Sequence, residues 1–149
     1  MMKRIALLLL SLLLLAACGR QEAAEPTEST PPTEEIEMIL RIDGTEVPVT
    51  WEKNESVQAL EALCPLTIEM SMYGGFEQVG AIGSALPRDD RQTSTSPGDL
   101  VLYSADQLVV FYGTNRWAYT RLGHVELTKA ELTALLSAHD VTITLEAEK

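Results

Sequence analysis

The residue types best suited to chemistry alternate along one short stretch, Trp117, Tyr119 and Arg121. In an extended chain, side chains two positions apart point to the same face, so this spacing predicts a guanidinium beside two aromatic rings. Such a group could bind a carbonyl or a carboxylate. The alternative is a solvent-facing arginine that covers ring edges. Arg121 is therefore the candidate catalytic or binding arginine, and Arg116, which is expected to be more exposed, is a weaker candidate.

A second candidate stretch is Tyr73-Gly74-Gly75, in which two glycines follow an aromatic residue. Without side chains, the two glycines could leave backbone N–H groups open beside a groove. The alternative is a tight turn that needs the conformational freedom of glycine. Both interpretations place the segment at a bend of the chain.

The other reactive residues do not form a recognisable catalytic or metal-binding set. Serine, histidine and aspartate occur, but no nucleophile motif brings them together. Zinc would need several cysteine or histidine ligands close together, whereas Cys64, His124 and His139 lie far apart in the sequence. We expect neither a metal nor a cofactor, and we interpret Cys64 as a small buried hydrophobic residue.

The chain is strongly acidic, with 22 acidic and 11 basic residues among 149. A chain that begins at Cys18 would lack Lys3 and Arg4 and keep nine basic residues against 22 acidic ones, a formal net charge of −13. Such a surface repels nucleic-acid phosphates. No lysine-rich or arginine-rich run is present for docking on anionic lipid. The sequence therefore predicts no nucleic-acid partner.

Residues 1–17 have the three parts of a signal peptide. Lys3 and Arg4 give a positive start, an almost wholly apolar run covers 5–15, and two alanines precede Cys18. Eleven residues of helix span roughly 16 Å, about half of the ~30 Å hydrocarbon core, so the run is too short for a permanent membrane span.

The segment Leu15-Ala16-Ala17-Cys18 resembles the lipobox of bacterial lipoproteins. In that family the cysteine is acylated and the peptide is cut just before it. The resemblance implies lipidation of Cys18 and a partner in the cell membrane, with the protein on the extracytoplasmic face. Each buried CH₂ contributes ~0.8 kcal/mol, so two or three acyl chains hold a protein stably. The alternative is an ordinary secretory signal whose cysteine is incidental.

Residues 18–35 are predicted to be the lipidated cysteine and a disordered tether. After Cys18 the segment contains Pro, Glu, Thr and Ser but no large apolar residue, so it cannot contribute to a core. Its 17 residues would average roughly 20–25 Å end to end. The folded domain is therefore predicted over 36–149.

The folded part opens with a predicted hairpin around Asp43-Gly44, a pair suited to a two-residue type I′ turn. Pro48 lacks an N–H group, so its strand is expected at an edge or with a bulge. The turn predicts four cross-strand pairs: Ile42–Thr45, Leu40–Val47, Met38–Val49 and Ile36–Trp51.

Two short helices are predicted from their capping residues. Asn54 or Ser56 can cap the first helix, which ends at Pro65. The second begins at Thr128 with a capping box, because Glu131 follows three residues later.

The remaining strands are predicted from alternation. The apolar run 108–112 is expected to be a central strand buried on both faces. In the strand after the two glycines, Glu77 would lie opposite Met72. Residues 83–99 are expected to form a long polar loop with solvated aspartates at Asp89, Asp90 and Asp99. In the last long strand, the residues expected to face away from Arg121 are Thr120, Leu122 and His124.

Seven or eight strands with two helices favour a mainly β fold, a small closed eight-stranded barrel with a helix over each open end. The order and spacing of 37–146 resemble the bacterial cyclophilin-like domain family. The sharpest motifs are Tyr73-Gly74-Gly75, Pro97-Gly98-Asp99 and Phe111-Tyr112-Gly113. The resemblance implies an eight-stranded barrel with two capping helices. Members often occur beside flavodoxin-like domains, but this chain has no phosphate-cradling glycine loop, so no flavin is implied.

Active cyclophilins isomerise prolyl bonds with an arginine beside an apolar pocket, within a Phe-His-Arg run that this sequence lacks. The resemblance also implies a basic residue at the position of His124. The predicted ligand-binding residues are Tyr73, Gly74, Gly75, Trp117, Tyr119, Arg121 and His124.

Two functions remain open. The first is a lipid-anchored, extracytoplasmic module that binds a peptide or a small ligand without catalysis. The second is a divergent peptidyl-prolyl cis–trans isomerase that acts on envelope proteins, with Arg121 as its catalytic residue. Fold likeness alone does not imply the activity.

Overall fold

The computed structural model describes residues 35–148, which form eleven β-strands and two α-helices. The domain is therefore mainly β, as the sequence predicts. In chain order the elements are β1 (Met38–Ile42), β2 (Thr45–Val47), β3 (Val49–Trp51), α1 (Glu55–Ala62), β4 (Leu66–Glu69), β5 (Ser71–Tyr73), β6 (Glu77–Ala81), β7 (Arg91–Ser94), β8 (Asp99–Tyr103), β9 (Gln107–Phe111), β10 (Arg116–Val125), α2 (Lys129–Leu136) and β11 (Thr142–Ala147).

The predicted N-terminal segments fall outside this part of the chain. The signal peptide (1–17), Cys18 and all but the last residue of the predicted tether (18–35) lie outside the described residues. Among residues 35–148, neither helix has the length and apolar character needed to cross a membrane.

The strands pair antiparallel in two hydrogen-bonded sheets. A four-stranded sheet has the order β2-β1-β11-β4. A seven-stranded sheet has the order β3-β10-β8-β9-β6-β5, with β7 also paired to β10. The ten-residue strand β10 therefore has three partners, since β7 pairs near its start and β3 near its end.

The predicted N-terminal turn is confirmed, but only half of the predicted hairpin is. Asp43 and Gly44 both have positive φ, 48° and 81°, as a type I′ turn requires. The two pairs nearest the turn form as expected. The two outer pairs are wrong, because the strand breaks at Pro48 and its continuation β3 pairs with β10.

The expected count of eight strands is also wrong, for physical reasons at three places. Pro48 has no N–H to donate and separates β2 from β3, while its carbonyl accepts from Glu126 N at 2.8 Å. Met70 separates β4 from β5, and its N–H donates to Val141 O at 2.9 Å. The third extra strand, β7, lies within the segment expected to be a loop. Among the described residues the ladders form two sheets, and no closed barrel is found.

The main core gathers alternate side chains from both sheets and one face of each helix. Leu100 and Leu102 of β8 and Leu108 and Val110 of β9 lie in it, all fully buried. Their neighbours Val101, Val109 and Phe111 belong to a separate cluster. Because successive side chains point to opposite faces of a strand, β9 is buried on both faces, as its apolar sequence predicts.

Both predicted helices form where their capping residues indicate. The Asn54 side chain accepts from Val57 N at 2.9 Å. Thr128 and Glu131 form the expected reciprocal capping box.

Cys64, just after α1, is half-buried against the core, and burial raises the pKa of its thiol to about 11. A thiol with that pKa stays protonated at neutral pH and is a poor nucleophile.

Candidate functional site

The face of the seven-stranded sheet that points away from the main core carries a small hydrophobic cluster and a cavity of about 420 Å³. We call this cavity the aromatic cup, because four rings line it: Tyr73, Tyr103, Trp117 and Tyr119. The rest of its lining is Glu77, Val79, Gln107, Val109 and Asn115.

Exposure separates the rim of the aromatic cup from its base. Tyr73 and Trp117 are 64% and 56% exposed and form the rim. Glu77 and Tyr119 are 6% and 4% exposed and form the base together with the buried Val109. Large aromatic side chains that remain exposed on both sides of a concave site are suited to cover a ligand.

The Tyr119 ring, at the base of the cup, is held by packing against two other rings and by one hydrogen bond. Tyr119 packs edge to face against Tyr103 and Phe111, with ring centroids 6.1 and 5.7 Å apart. Its hydroxyl accepts from Asn115 Nδ2 at 2.8 Å, and burial raises its pKa. The Tyr119 hydroxyl therefore stays protonated and keeps its own proton available for donation.

Glu77 is a residue of the cup that the sequence pattern did not predict. It was expected opposite Met72, but it pairs with Tyr73, while Met72 pairs with Gln78. The difference arises because the turn between β5 and β6 takes three residues, Gly74, Gly75 and Phe76, rather than the two glycines alone. A one-residue change of register moves every side chain of β6 to the other face, so Glu77 lies in the cup.

The Glu77 carboxyl group is buried without a partner among the described residues. Its Oε2 atom is inaccessible to solvent and accepts no hydrogen bond there. Burial raises the pKa of this carboxyl group to about 7. A buried and unsatisfied carboxylate is costly, so its presence in a concave site indicates a ligand-binding role.

The structure brings together three of the predicted ligand-binding residues, Tyr73, Trp117 and Tyr119, as lining of the cup. Gly74 and Gly75 form the adjoining turn, with φ of 63° and 72°, and do not line the cup. A Cβ atom on Gly74 would collide with the ring of Phe76. The turn interpretation therefore explains both glycines.

Arg121 and His124 lie together elsewhere, which corrects the predicted faces of β10. The register between β10 and β8 shifts between Arg121 and Gly123, so a bulge at Leu122 changes the alternation. His124 then shares a partner with Arg121 instead of pointing away from it. Arg121 Nη1 lies 3.3 Å from Asp99 Oδ2, and His124 Nδ1 lies 2.9 Å from Asp99 Oδ1.

Asp99 is also the clearest error among the predicted solvated residues, because its side chain is only 7% exposed. Besides Arg121 and His124 it accepts from Ser96 N at 2.8 Å. Asp90 is partly engaged as well, since it accepts from Thr120 Oγ1 at 2.8 Å. Asp89 is exposed, as expected.

Arg121 lines a second cavity of about 660 Å³, which we call the polar groove. The groove also has Arg88, Arg91, Asn54 and Ser56 in its lining, and it shares Tyr119 with the aromatic cup. Each groove arginine is paired with an aspartate: Arg88 with Asp90 at 3.6 Å, Arg91 with Asp89 at 2.8 Å and Arg121 with Asp99 at 3.3 Å. Arg116 lies outside the lining of both cavities.

Comparison with solved structures finds the same fold in a hypothetical protein from Archaeoglobus fulgidus, determined in solution. That structure has a TM-score of 0.58 and 15% sequence identity, over 76% of this chain and 95% of the other. No curated protein matches the chain. The sequence profile of the cyclophilin-like family matches residues 40–146. The chain therefore belongs to the cyclophilin-like family.

Proposed function

We propose that this protein is a lipid-anchored, extracytoplasmic binding module whose aromatic cup takes a small ligand or a short peptide segment. The observation that carries the proposal is the buried carboxyl group of Glu77, which has no partner among residues 35–148 and lies beneath exposed rings. Proteins keep such groups where a ligand completes their hydrogen bonds. The cavity of about 420 Å³ is within the usual range for small-molecule sites.

The anchoring part of the proposal rests on the sequence. A positive start, a short apolar run and the lipobox-like Leu15–Cys18 support acylation of Cys18. A tether over 18–35 would then hold the cyclophilin-like domain close to the outer surface of the membrane. The aromatic cup would face molecules of the cell envelope or the medium.

The geometry favours binding over proline isomerisation. An isomerase needs an arginine beside an apolar pocket for the proline ring. Arg121 instead bonds Asp99 and lines the polar groove, whereas the apolar and aromatic side chains line the other cavity. We expect no acceleration of prolyl isomerisation in a peptide assay. An acceleration that Arg121→Ala abolishes would restore the isomerase hypothesis.

A fragment screen tests the aromatic cup as a ligand site. The full chain in a non-ionic detergent is screened by NMR against neutral, cationic and anionic aromatic fragments. We expect hits that shift the signals of Tyr73, Trp117 and Tyr119. Trp117→Ala should weaken them about tenfold, because it removes one exposed wall of the site.

The matched control is Met72→Ala, which removes an exposed apolar side chain just outside the cup and should leave the affinities unchanged. The proposal is wrong if no fragment binds, or if every hit shifts only the polar groove around Arg88 and Arg121. It is also wrong if the two variants weaken the hits equally.

A further inference from the structure

We propose that the ligand of the aromatic cup carries a protonated amine, which donates a hydrogen bond to the Glu77 carboxylate while its apolar body packs between the rings. This inference rests on the proposed function, because it assigns a ligand class to the same site.

The lining of the aromatic cup carries a negative charge and no positive one. Glu77 is the single acidic residue in its lining, which contains no lysine, arginine or histidine. The other titratable groups that face Glu77 are the hydroxyls of Tyr73 on β5, Tyr103 on β8 and Tyr119 on β10. Strand β9 contributes only Gln107 and Val109. A positive partner for the carboxylate must therefore come from the ligand.

The burial of Glu77 strengthens the hydrogen bond that a positively charged partner would donate to its carboxylate. The side chain is about nine-tenths buried, and Oε2 has no hydrogen-bond donor among the described residues. A charge-assisted bond from an ammonium group to a desolvated carboxylate is about twice as strong as a neutral one. An N–H donor is required as well as a charge, because the missing contact is a hydrogen bond.

The aromatic rings of the cup also favour a positively charged ligand. The faces of tyrosine and tryptophan rings attract cations, and desolvated sites strengthen the attraction. Trp117 and Tyr73 are exposed enough to be reached by a ligand, and Tyr119 is fixed by its packing on Phe111. A ligand with an amine next to an apolar body fits these contacts better than an anion or a sugar does.

Calorimetry with three matched probes tests the inference on the full chain in a non-ionic detergent at about pH 8. The probes are phenethylamine, the uncharged 2-phenylethanol and trimethyl(phenethyl)ammonium, which has the charge but no N–H. We expect phenethylamine to bind about tenfold tighter than either of the other two. Glu77→Gln should remove this preference, because it removes the negative charge that distinguishes the amine from the alcohol.

The matched control is Glu69→Gln, which neutralises an exposed glutamate on strand β4 and should leave all affinities unchanged.

A second test, the pH dependence of binding, needs no variant. Affinity for phenethylamine should rise by up to about tenfold per pH unit as the pH approaches 7, and then level off, because the amine binds the ionised carboxylate. A ligand that accepts a hydrogen bond from the protonated Glu77 carboxyl group would show the opposite trend. The pH arm decides the inference if Glu77→Gln fails to fold.

The outcomes separate this inference from the proposed function. Equal binding of amine and alcohol at the cup would overturn the amine inference and leave the cup as a ligand site. Equal binding of the trimethylated probe would overturn the role of the N–H donor. No binding of any fragment would overturn both. If phenethylamine binds as expected, an amide-capped lysine probe distinguishes the source of the amine. Tighter binding of this probe than of phenethylamine indicates a peptide side chain as the natural ligand.

Discussion

Glu77 and Gln78 are adjacent in β6 and illustrate how differently this fold treats two buried polar side chains. Gln78 is fully buried and saturated, because its Nε2 donates to Leu136 O and His139 O, each at 2.7 Å. Its Oε1 accepts from Val141 N at 3.0 Å. Gln78 therefore joins β6 to the end of α2 and the start of β11. Glu77, on the opposite face, is left unsatisfied in the cup.

Gln78→Met is expected to destabilise the domain by about 3 kcal/mol, because three hydrogen bonds are lost and buried backbone groups lose their partner. Chemical denaturation measures the change. Gln58→Met on the exposed face of α1 is the control, with an expected effect below about 0.5 kcal/mol. Similar losses at the two positions would show that the Gln78 bonds do not stabilise the fold.

Glu77→Gln should affect stability in a pH-dependent manner. Burial raises the pKa of Glu77 from 4.5 to about 7, so the unfolded chain loses this proton first as the pH rises. The carboxylate therefore destabilises the folded parent progressively between about pH 4.5 and 7. Relative to the parent, the variant should gain about 3 kcal/mol between pH 4.5 and 8. A stability difference that is constant with pH would contradict the burial of an unpaired carboxyl group.

The bulge at Leu122 in strand β10 determines which side chains of this strand lie on the same face. The alternation of side chains between the two faces shifts by one residue there. Before the bulge, Trp117 and Tyr119 lie in the aromatic cup. Arg121, just before the bulge, and His124, just after it, converge on Asp99 at the start of β8. The bend before β8 depends on Gly98, whose φ is +98° and whose N–H donates to Phe111 O at 2.8 Å.

Gly98→Ala and Gly83→Ala form a matched pair that separates strain from collision. Both glycines have φ near 90°, where a Cβ atom costs about 1–2 kcal/mol. A Cβ on Gly83 meets nothing within 4 Å, whereas on Gly98 it would lie 2.7 Å from Val125 O and 2.8 Å from His124 Cε1. Denaturation should therefore show a loss of about 1–2 kcal/mol at Gly83 and a clearly larger one at Gly98. Equal losses would mean that the Gly98 bend relaxes without cost.

Local patterns predicted most of the elements, because alternation, capping and turn chemistry act over a few residues. The capping box at Thr128 and the turn at Asp43 are confirmed for that reason. The breaks at Pro48 and Met70 were missed because they depend on which distant strand supplies the next hydrogen bond. Met70, for example, bonds to Val141, which lies near the end of the chain.

The candidate site was predicted only in part, for the same reason. Tyr73, Trp117 and Tyr119 were found from residue type and spacing. Glu77 depends on a three-residue turn whose third member, Phe76, looks like the first residue of the next strand. The signal available in the sequence was the acidic residue itself, which follows Phe76 and precedes Val79 by two positions on a strand. Arg121 lines the polar groove beside Tyr119 rather than the cup, because its guanidinium pairs with Asp99. The facing of His124 was wrong because a bulge cannot be read from alternation.

At the scale of the whole molecule, the net negative charge favours the same positively charged ligands that we propose for the aromatic cup. The proposed anchor would hold the domain near the membrane surface. A chain starting at Cys18 would keep nine basic residues against 22 acidic ones. Such a charge attracts cations and repels anions around the cup at low ionic strength. The domain would therefore collect amines near the membrane surface more readily than acids.

Intact-mass measurement of the protein purified from its own membranes tests the anchor. We expect a chain that begins at Cys18 and carries the added mass of two or three acyl chains, because a single chain holds a protein only marginally. Cys18→Ala should abolish both the cleavage and the added mass. A free thiol at Cys18, or a chain that retains residues 1–17, would contradict the anchor and leave the aromatic cup unaffected.

The most direct measurement of the central claim is an experimental structure of the full chain with phenethylamine bound. We expect the amine nitrogen within hydrogen-bond distance of the Glu77 carboxylate and the phenyl ring against Trp117 or Tyr119. A probe bound only in the polar groove beside Arg121, or one whose nitrogen points away from Glu77, would contradict the claim.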